Sequence, residues 1–367
     1  DSLTVALKLF PVEDSRQKVL DLDVRSRPEA KITSDGIYEY FWRELYPQYD
    51  YGISSKVHIR NQITQVKSQI VFPVSFNGEF KEYLEESEFI DFNDAIRNTA
   101  NEIIKGEDDY YRVVFKLADW VQHNVKYDLN TLTAKAVQKS SWVLTNKEGV
   151  CDELTNLFIS MLRIVGIPAR FVTGTVYGGG NIGWGNHGWA EVYFPDIGWI
   201  PWDVTFGQHG WVDPSHLKLS DAVDSGESSV EYSWRSYNID VNAGDLSLDT
   251  DLESTGDLFP ELVKLTIRPL RETFAFGSYL PLEIVVENLQ DFYVATTVIL
   301  TKGPSVSDNT VSVLLASRET RSVFWLAHVP DDLDNNFIYT SELEVKDSFN
   351  ARSRNKVFYA KTGDFFR

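Results

Sequence analysis

The chain has 367 residues, enough for two or three domains. Its formal charge of −19 repels nucleic acid and anionic membrane surfaces alike. One cysteine excludes an intramolecular disulfide framework, and no apolar run approaches the 18 or so residues that span a bilayer. The start at Asp1 reads as a trimmed or processed end, with any signal or anchor lying outside the segment.

Residues 1–82 read as a small β-rich domain. Strand patterns cover Leu3–Phe10, Lys18–Val24 and Lys56–Val74, and in the last of these Val57, Ile59 and Ile63 alternate with His58, Arg60, Gln62 and Thr64. That alternation places His58 on a solvated face. Residues 83–243 read as a helical and then β-rich core. Helices are expected over 93–105 and over 108–124, the second capped at Asp108-Asp109, with His123 serving its C-terminal end. A short helix is expected from Thr131 to Lys139.

The apolar spacing of Leu154, Leu157, Phe158, Met161, Leu162 and Val165 predicts a helix that opens at Cys151. It should stop at Gly166, with Pro168 beyond. A thiol in a first turn sits beside unpaired N–H groups and the positive dipole end, both of which favour thiolate. Strands follow over Ala169–Tyr177, His187–Phe194 and Gly198–Asp203. A three-residue loop, Pro195-Asp196-Ile197, pairs Phe194 with Gly198 and puts Trp189 opposite Asp203. His187 then becomes a same-face diagonal neighbour of Asp203, about 7–8 Å away by Cα. An even-length loop would separate the two side chains onto opposite faces.

Residues 244–259 read as an acidic linker, carrying Asp245, Asp249, Asp251, Glu253 and Asp257. Calcium could bind there, although the spacing lacks the glycine and closing glutamate of an EF-hand. Residues 260–367 carry seven short strand patterns, which suggest an immunoglobulin-like β-sandwich without chemistry of its own.

Cys151, His187 and Asp203 supply a nucleophile, a base and an orienter for attack on a carbonyl carbon. The backbone N–H of Cys151 and the indole of Trp142 are candidate oxyanion donors, and Trp184, Trp189 and Trp202 are candidate walls. His209 and His216, outside the motifs, read as structural, with a place near the groove as the alternative for either. Metal binding by Cys151, His187 and Asp203 is a weaker alternative. The runs GVCDELTNLFISMLRIVGIPARFVTG and HGWAEVYFPDIGWIPWDVTFG resemble the transglutaminase-like cysteine-enzyme superfamily, particularly its archaeal and bacterial members. The resemblance covers roughly residues 85–220. It implies an α+β, papain-like core with the cysteine helix packed on an antiparallel sheet, flanked by the two β domains. It further implies Cys151 as nucleophile, His187 as base and Asp203 as orienter, acting without a cofactor. The implied substrates are protein or peptide amides, met as glutamine and lysine side chains or as peptide bonds, outside the cell or at its surface. A surface binding or scaffolding protein that keeps the three residues without turnover is the alternative reading.

Overall fold

A computed structural model describes residues 1–133, 137–237 and 239–361. Near the N-terminus, β1 (Ser2–Leu7), β2 (Gln17–Arg27), β3 (Lys31–Ser34), β4 (Tyr38–Trp42) and β5 (Asp50–Ile59) form two small sheets. Leu3, Val5 and Leu7 alternate inward and meet Tyr40 and Trp42. The strand expected over Lys56–Val74 ends at Ile59. Beyond it, Ile70, Phe72, Val74 and Phe76 keep the period of two but lie as extended chain against the helical core. Tyr110 N donates to Ile70 O and Phe72 N to Asp108 O, so only isolated links replace a ladder. An alternating pattern specifies one buried side, not a paired strand.

The central domain holds α1 (Asp94–Ile103), α2 (Tyr110–Asn124), β6 (Lys126–Tyr127), α3 (Ser140–Asn146), β7 (Glu148–Gly149) and α4 (Cys151–Ile164). Asp109 caps α2 by accepting from Tyr111 N and Arg112 N. In place of the helix expected over Thr131–Lys139 there is a 3-10 turn at Leu129–Thr133; residues 134–136 of that span lie outside the described residues. α4 is buried on every side from Glu153 to Arg163, more than the single stripe expected, because α1, α2 and α3 cover it opposite the sheet. It ends at left-handed Gly166 (φ +86°), whose N–H returns to Arg163 O.

The sheet beneath comprises β8 (Ala169–Tyr177), β9 (Trp184–Phe194), β10 (Gly198–Asp203), β11 (Gln208–His209) and β12 (His216–Ala222), all antiparallel in the order β11-β10-β9-β8-β12. Gly198 pairs with Phe194, as the three-residue loop requires, and Trp202 pairs with Ala190. Phe171, Ala190, Val192, Phe194, Ile200 and Trp202 face the helices. His187, Trp189 and Glu191 take the opposite parity on β9. On that face Glu191 accepts from Lys218 Nζ (2.9 Å) and from Arg170 Nη2 (2.6 Å), forming a buried ion cluster.

β13 (Val230–Arg235) returns to pair with β1, from Ser2↔Arg235 to Leu7↔Val230. The segment read as the end of the core thus closes the N-terminal sheet. Residues 244–259 have no helix or strand. They run beside the N-terminal domain, where Glu253 pairs with Lys56 and Asp257 O accepts from Asn61.

The C-terminal strands are β14 (Val263–Pro269), β15 (Thr273–Ala275), β16 (Tyr279–Asn288), β17 (Val294–Lys302), β18 (Thr310–Leu315), β19 (Thr320–His328), β20 (Tyr339–Lys346) and β21 (Arg352–Ala360). They number eight among the described residues, one more than the seven expected, the addition being β15. They form two sheets, β14-β16-β19 and β15-β21-β20-β17-β18, that share one apolar core. The stack docks directly on the central domain. Tyr293 donates to Asp109 Oδ2, Arg112 pairs with Glu319 at 2.8 Å, and the Trp211 indole donates to Ala295 O.

Candidate active site

Short pairing of β6 with β7 fixes Gly149, and Asp128 N closes on Gly149 O just before the cysteine. Glu153 then starts α4: its carboxylate accepts from Val150 N (3.0 Å) and Gln138 N (3.1 Å). Cys151 is therefore the first residue of a rigid, buried helix. Gly188 anchors the other side. Its carbonyl accepts from Thr155 Oγ1 and its N–H donates to the Cys151 sulfur. A Cβ at position 188 would stand 2.3 Å from the Phe171 ring and 2.7 Å from Asp152 Oδ1, so only glycine allows this approach.

The thiol is not poised as its helix position suggests. Burial first, and the Asp152 carboxylate second, push Cys151 up to about 12, while the Gly188 N–H opposes them. The S–H points toward Asp152 Oδ1 at 3.6 Å. Burial also raises Asp152, with Glu153 beside it. Desolvation, Asp152 and Asp203 thus raise a thiol that stands in a first turn.

His187 and Asp203 meet as the hairpin register requires, with His187 Nε2 at 2.7 Å from Asp203 Oδ2. The imidazole lies parallel to Phe206, ring centroids 5.0 Å apart, which fixes its plane. Asp203 is fully buried, and every lone-pair direction has a donor. Oδ1 accepts from Thr205 N and Phe206 N; Oδ2 accepts from His187 and from His216 Nε2 (2.9 Å). Burial alone would raise this carboxyl, but the two imidazoles outweigh it and hold Asp203 well below the carboxylate range.

The four tryptophans separate. Trp189 is buried between His187 and His216, centroids 6.1 and 5.3 Å away, and forms the wall. Gly174 makes room for it, since a Cβ there would lie 2.5 Å from the indole. Trp184 packs on Tyr177 and lines, with Phe206, a cavity of about 1860 Å³ bounded by the N-terminal domain and residues 239–259. Trp202 is not a wall. It has the parity opposite to Asp203 and is sealed among Phe158, Phe194 and Tyr111 on the helix side. Trp142 packs on the helical core, and among the described residues its indole makes no hydrogen bond to the site.

His58 is exposed and His123 bonds Asp119 at the end of α2, both as expected. His209 stacks on Trp202, and burial lowers it to about 4, which keeps it a neutral core residue. His216 takes the alternative placement, near the groove. Its Nε2 stands in contact with the Asp203 carboxylate at 2.9 Å. Nothing in the order of motifs shows this, because its place depends on the pairing of β12 with β8 (His216↔Val176). The Tyr127 phenol is raised, first by burial and then by its nearness to Cys151, Asp152 and Asp203.

Donor atoms of His187, Asp203 and His216 lie within 4.8 Å of one another. Asp203 Oδ2 already takes an N–H from each imidazole, so the set is closed by hydrogen bonds and differs from the Cys151-containing set considered above.

A helix-start cysteine against an antiparallel sheet, with an imidazole–carboxylate pair at the sheet's end, defines a cysteine–histidine–aspartate type of domain. Residues 97–204 match the core model of the transglutaminase-like superfamily. Bacillus subtilis YebA, itself uncharacterised, is 28% identical over 149 residues, 36% of this chain and 20% of that protein. The chain thus spans about a fifth of the length of that curated relative. Among solved structures, one from Cytophaga hutchinsonii described as a candidate cysteine protease is 19% identical, covering 64% of this chain and 81% of its own, with a TM-score of 0.47. The periplasmic domain of Pseudomonas aeruginosa TgpA is 19% identical over 56% and 70% of the two chains (TM-score 0.33). Red sea bream transglutaminase is 10% identical over 98% and 78% (TM-score 0.28).

Proposed function

We propose that the protein is a thiol-dependent acyl-transfer enzyme acting on protein or peptide amides. The observation that carries this reading is the buried 2.7 Å His187–Asp203 pair on the strand whose next residue, Gly188, donates its N–H to the Cys151 sulfur. His187 uses Nε2 on Asp203, leaving Nδ1 as the atom to receive a proton. In the forward step the Cys151 sulfur attacks the amide carbon as its proton passes to His187. The tetrahedral oxyanion collapses to a thioester, and His187 returns the proton to the departing amine. Water or a second amine then releases the acyl group. The raised thiol fits a nucleophile that ionises only as His187 accepts its proton, without a standing ion pair.

Incubating a casein-type protein with a primary amine and reading the products by mass spectrometry tests the proposal, with Cys151→Ala as the control. Amine incorporation or new termini with wild type alone supports it; neither outcome with active, folded protein overturns it.

The S–H directed at Asp152, with the thiol pushed up, favours a second reading as a non-catalytic binding protein. Turnover separates the two: folded wild type that retains a peptide but yields no Cys151-dependent product supports binding without turnover.

A further inference from the structure

His216 touches the Asp203 carboxylate and has no part in the steps above. Its two ring nitrogens both face carboxylates: Nε2 lies 2.9 Å from Asp203 Oδ2 and Nδ1 lies 3.2 Å from Asp213 Oδ1. An ionised carboxylate only accepts hydrogen bonds, so each nitrogen must carry a proton, and a ring with both protonated is an imidazolium. The ring is sealed between Trp189 and Phe206 and has no exposure. Asp213 is held in turn by Gln208 Nε2, Ser215 N and Ser215 Oγ. Arg16, buried and reaching in from the N-terminal domain, bonds Val212 O, Asp213 O and His216 O, fixing the backbone on both sides of the pair.

We propose that His216 is a positioning residue of the site: as an imidazolium clamped between Asp203 and Asp213, it fixes the Asp203 carboxylate and offsets its charge. Asp203 can then orient His187 through one hydrogen bond while the Asp203–His216 pair stays neutral. The remaining charged groups around the cluster are placed consistently with this. His187 faces the ring at 5.5 Å, Asp152 lies beyond His187, Lys218 is held by Glu191, and His209 lies behind Trp202. Burial lowers His216, but Asp203 and Asp213 together outweigh it and raise the group.

The consequence for turnover rests on the acyl-transfer reading of Cys151; the charge of His216 does not. Removing the imidazolium leaves Asp203 uncompensated, so neighbouring groups bind protons more tightly. His216→Gln keeps a donor for Asp203 without the charge. Asp213→Asn keeps the imidazole but removes its second carboxylate.

The test has two parts. Nitrogen-15 NMR of histidine-labelled protein at pH 8 should show both His216 nitrogens protonated. The pH profile of Cys151 alkylation by iodoacetamide should shift its acid limb upward by about one unit in His216→Gln, and in the same direction but less in Asp213→Asn. A neutral His216 at pH 8 overturns the proposal, as does an unchanged profile in both variants. Circular dichroism confirms that each is folded, and Asp213→Asn retains the packed ring if His216→Gln does not fold. Failure of the enzyme reading looks different: no amide turnover by folded wild type, with His216 still doubly protonated.

Discussion

Two buried carboxylates occupy one face of the central sheet, and they are neutralised by different chemistry. Glu191 accepts from Arg170 and Lys218; Arg170 also lies over Trp199 at 4.3 Å and pairs with Asp221 at 2.5 Å. Burial would raise Glu191, but Lys218 and Arg170 outweigh it and lower it. Arg170, a guanidinium beside Glu191 and Asp221, keeps its proton across the physiological range. Asp203, at the same sheet's end, is held by two imidazoles, of which His216 is raised by Asp203 and Asp213 against its burial. The fixed cluster pins β8, β9 and β12 together, and the titratable one stands beside the thiol. Position along one sheet face therefore separates charge that holds from charge that can move.

The comparison breaks most visibly in activity. Cys151→Ala is expected to lower kcat/KM by about a thousandfold or more, and Asp203→Asn by roughly a thousandfold to ten-thousandfold, because the asparagine offers the wrong partner to the imidazole. Steady-state rates on the amide substrate identified by mass spectrometry check both. Glu191→Gln should act on stability instead, costing about 3 kcal/mol in urea unfolding by leaving Lys218 and Arg170 short of a buried partner. If Glu191→Gln changes activity and not stability, the division of roles is wrong. Gly188→Ala should cost about 1–3 kcal/mol from its clash with Phe171, and should also slow Cys151 alkylation.

The smallest effect is in the pH dependence of stability. Asp203 and Asp213 are depressed in the folded state, so their contribution is present above about pH 4 and is lost as pH falls through their folded values. His216 is raised, so its contribution is full below about pH 6.5 and is lost as pH rises through its folded value. Urea unfolding between pH 5 and 9 should show an alkaline decline that His216→Gln removes and Glu191→Gln preserves.

Much of this was legible in the sequence because it is local or set by register. The cap-to-Gly166 span of α4, the three-residue hairpin and the diagonal approach of His187 to Asp203 follow from spacing alone. Three features did not. The elevated thiol depends on how deeply α4 is buried, which apolar spacing underestimates when helices cover it on all sides. Trp202, a candidate wall, faces the helices instead, because one step along the strand from Asp203 reverses the face. His216 reaches the site only through the pairing of β12 with β8, a contact between segments with no shared motif.

The return of β13 to β1 bears on how the chain is made. During synthesis, Ser2 must wait for Arg235 before its strand gains that neighbour, so the first sheet to emerge is among the later ones to be completed. Cutting at residue 83 would free a fragment with one side of β1 bare and would strip the remainder of the partner of Val230–Arg235. Limited proteolysis should therefore release the N-terminal region only after cleavage on both sides of the central domain, and the two ends of this enzyme-like core should unfold together.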